Sequence, residues 1–344
     1  MTDELAALAM KYNEPLASLH LLNIMRVGLS TSLDGTIFKL KAFFTAPDKT
    51  RHDKPFWNNK NSPYQVQQNI VYYKGSETGF TVDSIMEDLG EPYYFRGKDI
   101  LVINSTFMEA CDQKCLFCED TAKRGNSRYS IQLSKQQLFG KVMQDYELRN
   151  LEHLRQISVL TSCAGNESDA LKLFEGYIEE AIKRNFRGKF YVASHELRSR
   201  NSLKELSTYG DVILAFTVEC FTNRTKVMPR EKGRITLEEI RSILGSARES
   251  GMETNYLYIF GIDELPEMKK GFFLLKDVIS IAPTGPNYQP TSAKSPLPLQ
   301  DLEYYLNARE IFTEIHRGMP RFESVQSYRS LWPLERHDER TIVQ

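Results

Sequence analysis

The sequence predicts an α/β fold, a partial (β/α)6 TIM-like barrel carrying a small N-terminal α+β domain. Three observations predict it. From residue 99 onward, β-branched runs alternate with amphipathic segments, the rhythm of a parallel sheet wrapped by helices. The runs are continuously apolar, as strands covered on both faces are. The first 95 or so residues lack this rhythm.

Six segments carry the strand pattern: DILVINS (99–105), QISVLTS (156–162), KFYVAS (189–194), DVILAFTVE (211–219), TNYLYIFG (254–261) and DVISIAP (277–283). Helix starts fall between them. Ser134 with Gln137 and Thr236 with Glu239 read as capping boxes, in which the Ser or Thr accepts from the backbone three residues on and the longer side chain returns the bond. Gly251 closes the second helix, and a last helix is expected near 299–317. Six such units fall two short of a closed eight-fold barrel, hence an open one. The preceding part shows a hairpin candidate at Asp34-Gly35 and a Pro, Asn and Lys rich stretch, PDKTRHDKPFWNNKNSP. Its aromatics (Phe43, Phe44, Phe56, Trp57, Tyr72, Tyr73) suit a small core, with a substrate lid as the other reading. The expected division is an N-terminal cap over 1–95, a barrel over 96–318 and a tail over 319–344. A chain of 344 residues accommodates this, since single cores stop growing near ~250–300 residues.

Composition narrows the function classes. Hydrophobic residues at 41% and charged residues at 26% are ordinary for a globular chain. No apolar run approaches the ~20 residues of a membrane helix, and the N-terminus shows neither a basic leader nor an apolar stretch. No membrane association and a cytoplasmic location are the expectations. The net charge of -1, with cations dispersed among carboxylates, argues against a nucleic-acid partner. Of the five cysteines, three fall in one short segment, which favours metal over disulfides in a chain without an export signal.

That segment, NSTFMEACDQKCLFCED, places Cys111, Cys115 and Cys118 in a CxxxCxxC array directly after the first barrel strand. Barrel chemistry collects at the C-terminal ends of strands. Thiolates select iron-sulfur clusters or zinc. A four-iron cube held by three thiolates keeps one iron without a protein ligand, a reactive position comparable to the open site of catalytic zinc. The competing reading is a zinc site completed by His153 or His195 in a non-enzymatic scaffold. Cys163 and Cys220, at the ends of the second and fourth strands, are further ligand candidates or small buried hydrophobes.

Here the chain resembles the radical S-adenosylmethionine superfamily, over about 99–300. The CxxxCxφC array with aromatic Phe117 before the last cysteine is that superfamily's hallmark. The resemblance implies a 4Fe-4S cluster on Cys111, Cys115 and Cys118, with S-adenosylmethionine chelating the fourth iron. It also implies reductive cleavage to a 5′-deoxyadenosyl radical that takes hydrogen from substrate, with an electron donor such as flavodoxin or ferredoxin. LYIFGIDE resembles the family's GxIxGxxE pattern through Ile259, Gly261 and Glu264, with Leu257 in place of its first glycine. Thr217 and Glu219, ending the fourth strand, are similar to the ribose contacts. Arg234 resembles the cation that pairs with the methionine carboxylate. TSCAGNESD stands where many members carry GGE, making Gly165, Asn166 and Glu167 candidates for the methionine amine, although Asn166 also reads as a helix cap. Ser194 and His195, ending the third strand, are candidate cofactor or substrate contacts.

Two spare cysteines cannot hold a second full cluster, and 95 residues are too few for a doubly wound cobalamin domain. The arrangement is most similar to the compact biotin-synthase-like group, implying hydrogen abstraction from a small polar metabolite such as an amino acid, sugar or nucleoside. Tyr288, Lys294, Arg321 and Arg329 are candidate anchors for anionic groups. The other enzymatic reading is a peptide maturase whose leading domain recognises a leader.

Overall fold

The structure, a computed structural model, describes residues 3–33, 39–87, 92–105, 113–118, 133–161, 164–290, 296–321 and 331–334. Its elements are α1 (Asp3–Tyr12), α2 (Leu16–Val27), β1 (Lys39–Thr45), β2 (Arg51–Trp57), β3 (Tyr64–Gln67), β4 (Ile70–Tyr73), β5 (Ser76–Glu87), β6 (Tyr93–Arg96) and β7 (Ile100–Asn104). There follow α3 (Lys135–Asp145), β8 (Gln156–Leu160), α4 (Glu167–Ile182), β9 (Lys189–Ser194), α5 (Arg200–Ser207) and β10 (Val212–Glu219). Next come α6 (Arg224–Val227), α7 (Glu231–Arg234), α8 (Leu237–Glu249), β11 (Glu253–Tyr258), α9 (Leu265–Leu275) and α10 (Leu302–Ile315).

The fold is mixed α/β with two sheets. The first is antiparallel, in the order β2-β1-β5-β4-β3. Strand β2 forms inside the Pro and Lys rich stretch because it is an edge strand, where Pro55 removes no inward ladder bond. Phe44 and Phe56 are fully buried there and meet edge to face, so these rings are core. The Asp34-Gly35 hairpin candidate lies outside the described residues.

The second sheet runs β11-β10-β9-β8-β7-β6, with β7 to β11 parallel and β6 antiparallel at the edge. The expected 95/96 boundary thus falls within β6. Residues Val192, Leu214, Phe216, Val218, Tyr256 and Tyr258 face the helices in the main core, while Tyr191, Ala193, Ile213, Ala215 and Ile281 form a second cluster on the opposite face. Burial on both faces explains the unbroken apolar runs. The main core runs from α1 and α2 through the helical shell without a break between the two sheets.

Both capping boxes form as expected, and the N–H of Gly251 closes α8 on the Arg248 carbonyl. The sixth strand does not form. Lys276–Val278 is a 3-10 turn, and the chain beyond it meets β11 and the residues after it through scattered bonds, such as Ser280 N–H to the Thr254 carbonyl, and isolated bridges, Leu257 to Thr284 and Phe260 to Asn287, without a continuous ladder. Pro283 and Pro286 lack the N–H groups a continuous ladder needs. Among the described residues, no helix is long and apolar enough to cross a membrane.

Candidate functional site

Parallel strands bring their C-terminal ends to one edge, and the cysteine loop leaves β7 at that edge. Cys115 and Cys118 lie on one tight turn, the Cys118 N–H donating to the Cys115 carbonyl at 3.1 Å. Two bonds seat this turn on the short helices after β10. The Leu116 N–H donates to the Val227 carbonyl at 2.9 Å, and the Lys232 N–H donates to Gln113 Oε1 at 3.1 Å. Cys115 is buried beside Cys220, Val227 and Met228, with Phe117, Cys118, Ile262 and Leu297 packed around them. Burial pushes the Cys115 thiol up to about 12, against the pull of the Lys232 ammonium. A buried thiolate here therefore requires a bound cation or metal.

Cys111 and Cys163 lie outside the described residues, and among the described residues no group of three His, Cys, Asp or Glu side chains gathers to hold a metal. Of the histidines proposed to complete a zinc site, His153 precedes β8 and so sits at the opposite edge of the sheet, while His195 directly follows β9 with its Nδ1 facing the Glu196 carboxylate at 3.4 Å.

At the end of β10, Glu219 takes φ +68°, sparsely populated for a residue with a side chain, where the register with β11 shifts. Its carboxylate accepts from Lys232 Nζ at 2.6 Å, a pair almost removed from solvent. Burial lowers the Lys232 pKa, but Glu219, Cys115 and Cys118 together leave it raised, so the side chain is an ammonium beside the cysteine turn. Gly233 lets the backbone close up behind it, since a Cβ there would lie 1.9 Å from the Met228 carbonyl oxygen. The buried Arg224 guanidinium donates to the carbonyls of Val218, Cys220, Lys232 and Ile235, stitching β10 to both short helices. The Thr217 hydroxyl, two residues before Glu219, is buried with no hydrogen-bond partner among the described residues. Arg234 is exposed. It borders a groove of about 370 Å³ with Arg198, Glu231, Ile235, Glu239, Ser242 and Ile243, none of them a cysteine.

Two carboxylates cross-link the loops after β8 and β9. Glu196, buried, accepts from the Ala164 N–H at 2.9 Å, Ser194 Oγ at 2.6 Å and the His195 N–H at 3.2 Å. Burial raises its pKa, but His195 and these donors outweigh it and hold the group low. Glu167 in turn accepts from the Arg198 and Ser199 N–H groups at 2.8 and 2.6 Å. Asn166 caps α4, accepting from the Asp169 N–H and donating to the Asp169 carboxylate, so its side chain is already committed. Gly165, at φ +88°, turns the chain into that cap. Ser194 is likewise tied to Glu196.

Beyond β11, Ile259 is buried and its N–H donates to the Glu219 carbonyl. Gly261 sits at φ +104°, and a Cβ there would lie 2.5 Å from the Tyr305 hydroxyl oxygen. Asp263 is the anchor of this loop. Its carboxylate accepts from the N–H groups of Phe221 and Thr222, the Thr222 hydroxyl and the Tyr258 hydroxyl. The neighbouring Glu264 is exposed and makes no side-chain cap to α9. Tyr288 is buried against Gly261, and the Arg321 guanidinium lies 4.4 Å over the Trp332 ring. Lys294 and Arg329 lie outside the described residues. Sequence reasoning missed Glu196, Arg224, Lys232 and Asp263. Asp263 stood within LYIFGIDE, at a position to which the family pattern gives no residue type, so only the tertiary bonds reveal its role.

No family model matches the sequence, and no curated protein matches it. The structure is similar to Streptococcus suis SuiB bound to S-adenosylmethionine, with a TM-score of 0.46 and 10% identity over 65% of this chain and 49% of that one. The chain thus spans about half the length of SuiB. It is also similar to a radical SAM methyltransferase from Sphaerobacter thermophilus, with a TM-score of 0.46 and 15% identity over 76% of this chain and 77% of that one. A third similar structure is the radical S-adenosylmethionine methyltransferase TsrM from Kitasatospora setae with cobalamin and a 4Fe-4S cluster bound, with a TM-score of 0.35 and 12% identity over 53% and 37% of the two chains.

Proposed function

We propose that the chain is a radical S-adenosylmethionine enzyme on an open, partial barrel of five parallel strands, with the N-terminal α+β unit as a cap. The observation that carries this reading is one cluster of features at the C-terminal edge of the parallel strands. The Cys115–Cys118 turn, the buried Lys232–Glu219 pair and the unpartnered Thr217 hydroxyl all stand there. The residues fit a 4Fe-4S cluster held by Cys111, Cys115 and Cys118. A metal centre stabilises the thiolate that burial alone opposes, the apolar lining excludes water, and the Lys232 ammonium offsets anionic charge. When bound, the cluster supplies the electron that splits the sulfonium bond of S-adenosylmethionine to give the 5′-deoxyadenosyl radical.

The chain's own residues bind and orient. Lys232, inward and beside the cysteines, is better placed than exposed Arg234 to meet the cofactor's carboxylate, and Glu219 fixes its direction. The Thr217 hydroxyl is open to a ribose hydroxyl. Ile259, held to the Glu219 carbonyl, and Gly261, where the chain turns at φ +104°, shape the strand end proposed to meet the adenine. The loop holding Gly165 and Asn166 is braced by Glu196 and Glu167, so its backbone can receive the methionine amine without reorganising. The inner sheet face carries Gln156, Ser158, Tyr191 and Asn255, and this polar lining supports a small polar metabolite as substrate, within a biosynthetic and cytoplasmic setting.

The test is anaerobic incubation of reconstituted protein with dithionite, S-adenosylmethionine and either a metabolite extract or a peptide digest, scored by mass spectrometry. Release of 5′-deoxyadenosine stimulated by metabolites is the expected result, and it is lost with the brown absorbance in Cys115→Ala. Stimulation by peptides alone would move the reading to peptide maturation. A colourless, zinc-bearing protein without iron would leave only a scaffold.

A further inference from the structure

The segment from Arg224 to Arg234 carries five cations, and the fold sorts them. Arg224 and Lys232 turn inward to the carbonyl groups and Glu219 described above. Lys226, Arg230 and Arg234 are exposed, as is Lys114 on the cysteine loop itself. Among the described residues none of these four forms an ion pair. The one exposed acid in the segment, Glu231, is already held by Arg198 at 3.0 Å. A chain with net charge -1 thus places exposed cations, without an ion-pair partner among the described residues, on the two short helices that carry the cysteine turn and beside them.

The seating is direct. Val227, next to Lys226, accepts from the N–H of Leu116, between the two cysteines, and Lys232 tethers Gln113 on the other side. Cys118 is only half-buried, so the turn reaches the surface here. A partner resting on this face lies against the loop that binds the cluster. The proposed reaction consumes one electron for each sulfonium bond broken, and that electron enters through a carrier.

Resting on that proposed reaction, we infer that Lys114, Lys226, Arg230 and Arg234 form the docking face for an acidic one-electron carrier protein. The carrier is oxidised by one electron and the cluster reduced by one, with no atom or proton exchanged. Positive charge around the entry point attracts a negatively charged carrier and turns it toward the cysteine edge, so the effect belongs to association and is screened by salt.

The test compares full-length wild type with Lys226→Glu/Arg230→Glu and with Lys172→Glu/Lys204→Glu, which makes the same charge change at exposed positions on α4 and α5. Formation of 5′-deoxyadenosine is measured with dithionite, and separately with photoreduced flavodoxin as sole donor. The expected result is unchanged dithionite-supported turnover in all three proteins. Flavodoxin-supported turnover falls by about tenfold or more in the first variant alone at low salt. The deficit closes near ~1 M salt, where screening acts within ~3 Å. Equal flavodoxin-supported rates, or equal losses in both variants, overturn the docking face while leaving the enzymatic reading intact. A wild type inactive with dithionite overturns that reading and the docking face together. The milder Lys226→Gln/Arg230→Gln gives an intermediate loss if charge reversal impairs folding.

Discussion

Thr217 illustrates how one residue can be poor for stability and good for binding. A buried hydroxyl without a partner costs about 1–3 kcal/mol. Thr217→Val keeps the shape and removes the unpaired group, so denaturant unfolding is expected to show equal or higher stability, within about 1 kcal/mol. Affinity for S-adenosylmethionine is expected to fall about tenfold, roughly 1.4 kcal/mol. Unchanged affinity in a titration would remove Thr217 from the site. Lys232 behaves oppositely, because its loss strands Glu219. Lys232→Met is expected to cost about 3–5 kcal/mol, and adding Glu219→Gln is expected to restore most of that without restoring cofactor binding. Chemical denaturation of the single and double variants decides it, and a double variant no more stable than the single would contradict the pairing. Thr217 and Glu219 were legible because they end a β-branched run. Lys232 was not, since a lysine within REKGR reads as solvated until tertiary packing turns it inward.

The loops between elements hold the site in shape, and Asp263 is the clearest case. Its carboxylate satisfies four donors, three from the loop after β10 and one from Tyr258 at the end of β11, with Phe221 stacked on Tyr258 beside it. Asp263→Ala leaves buried N–H groups unpaired and is expected to cost about 2–4 kcal/mol, read as a lowered denaturation midpoint. A loss below about 0.5 kcal/mol, the range of ordinary surface changes, would contradict the bracing role. At this scale the sequence is informative where signals are local. Capping boxes need only residues three apart, and both formed. The segment 277–283 carries a strand's composition, but the prolines that break its ladder act through missing N–H groups that hydropathy does not register. The cross-links through Glu167 and Glu196 join residues about thirty apart in sequence, beyond any spacing rule.

The main core runs unbroken from the N-terminal helices to Leu331, so the described residues before 96 share apolar surface with the elements around the parallel sheet. Two histidines sit within that core. Burial lowers His20 and His316 from 6.5 to about 4. Both remain neutral in the folded state while the unfolded chain takes up protons below pH 6.5. Their contribution is therefore fully present above that pH and is lost as pH falls toward 4, on the order of 2 kcal/mol each at pH 5. Urea denaturation at pH 7 and pH 5 is expected to show this loss, with His316→Phe removing about half of it. An unchanged midpoint would contradict it. The central claim is tested most directly by electron paramagnetic resonance on anaerobically reconstituted, dithionite-reduced protein, with and without S-adenosylmethionine. A reduced four-iron signal that changes shape when the cofactor is added, and is absent in Cys115→Ala, is the expected result. A protein without iron, or a signal indifferent to the cofactor, would contradict the account.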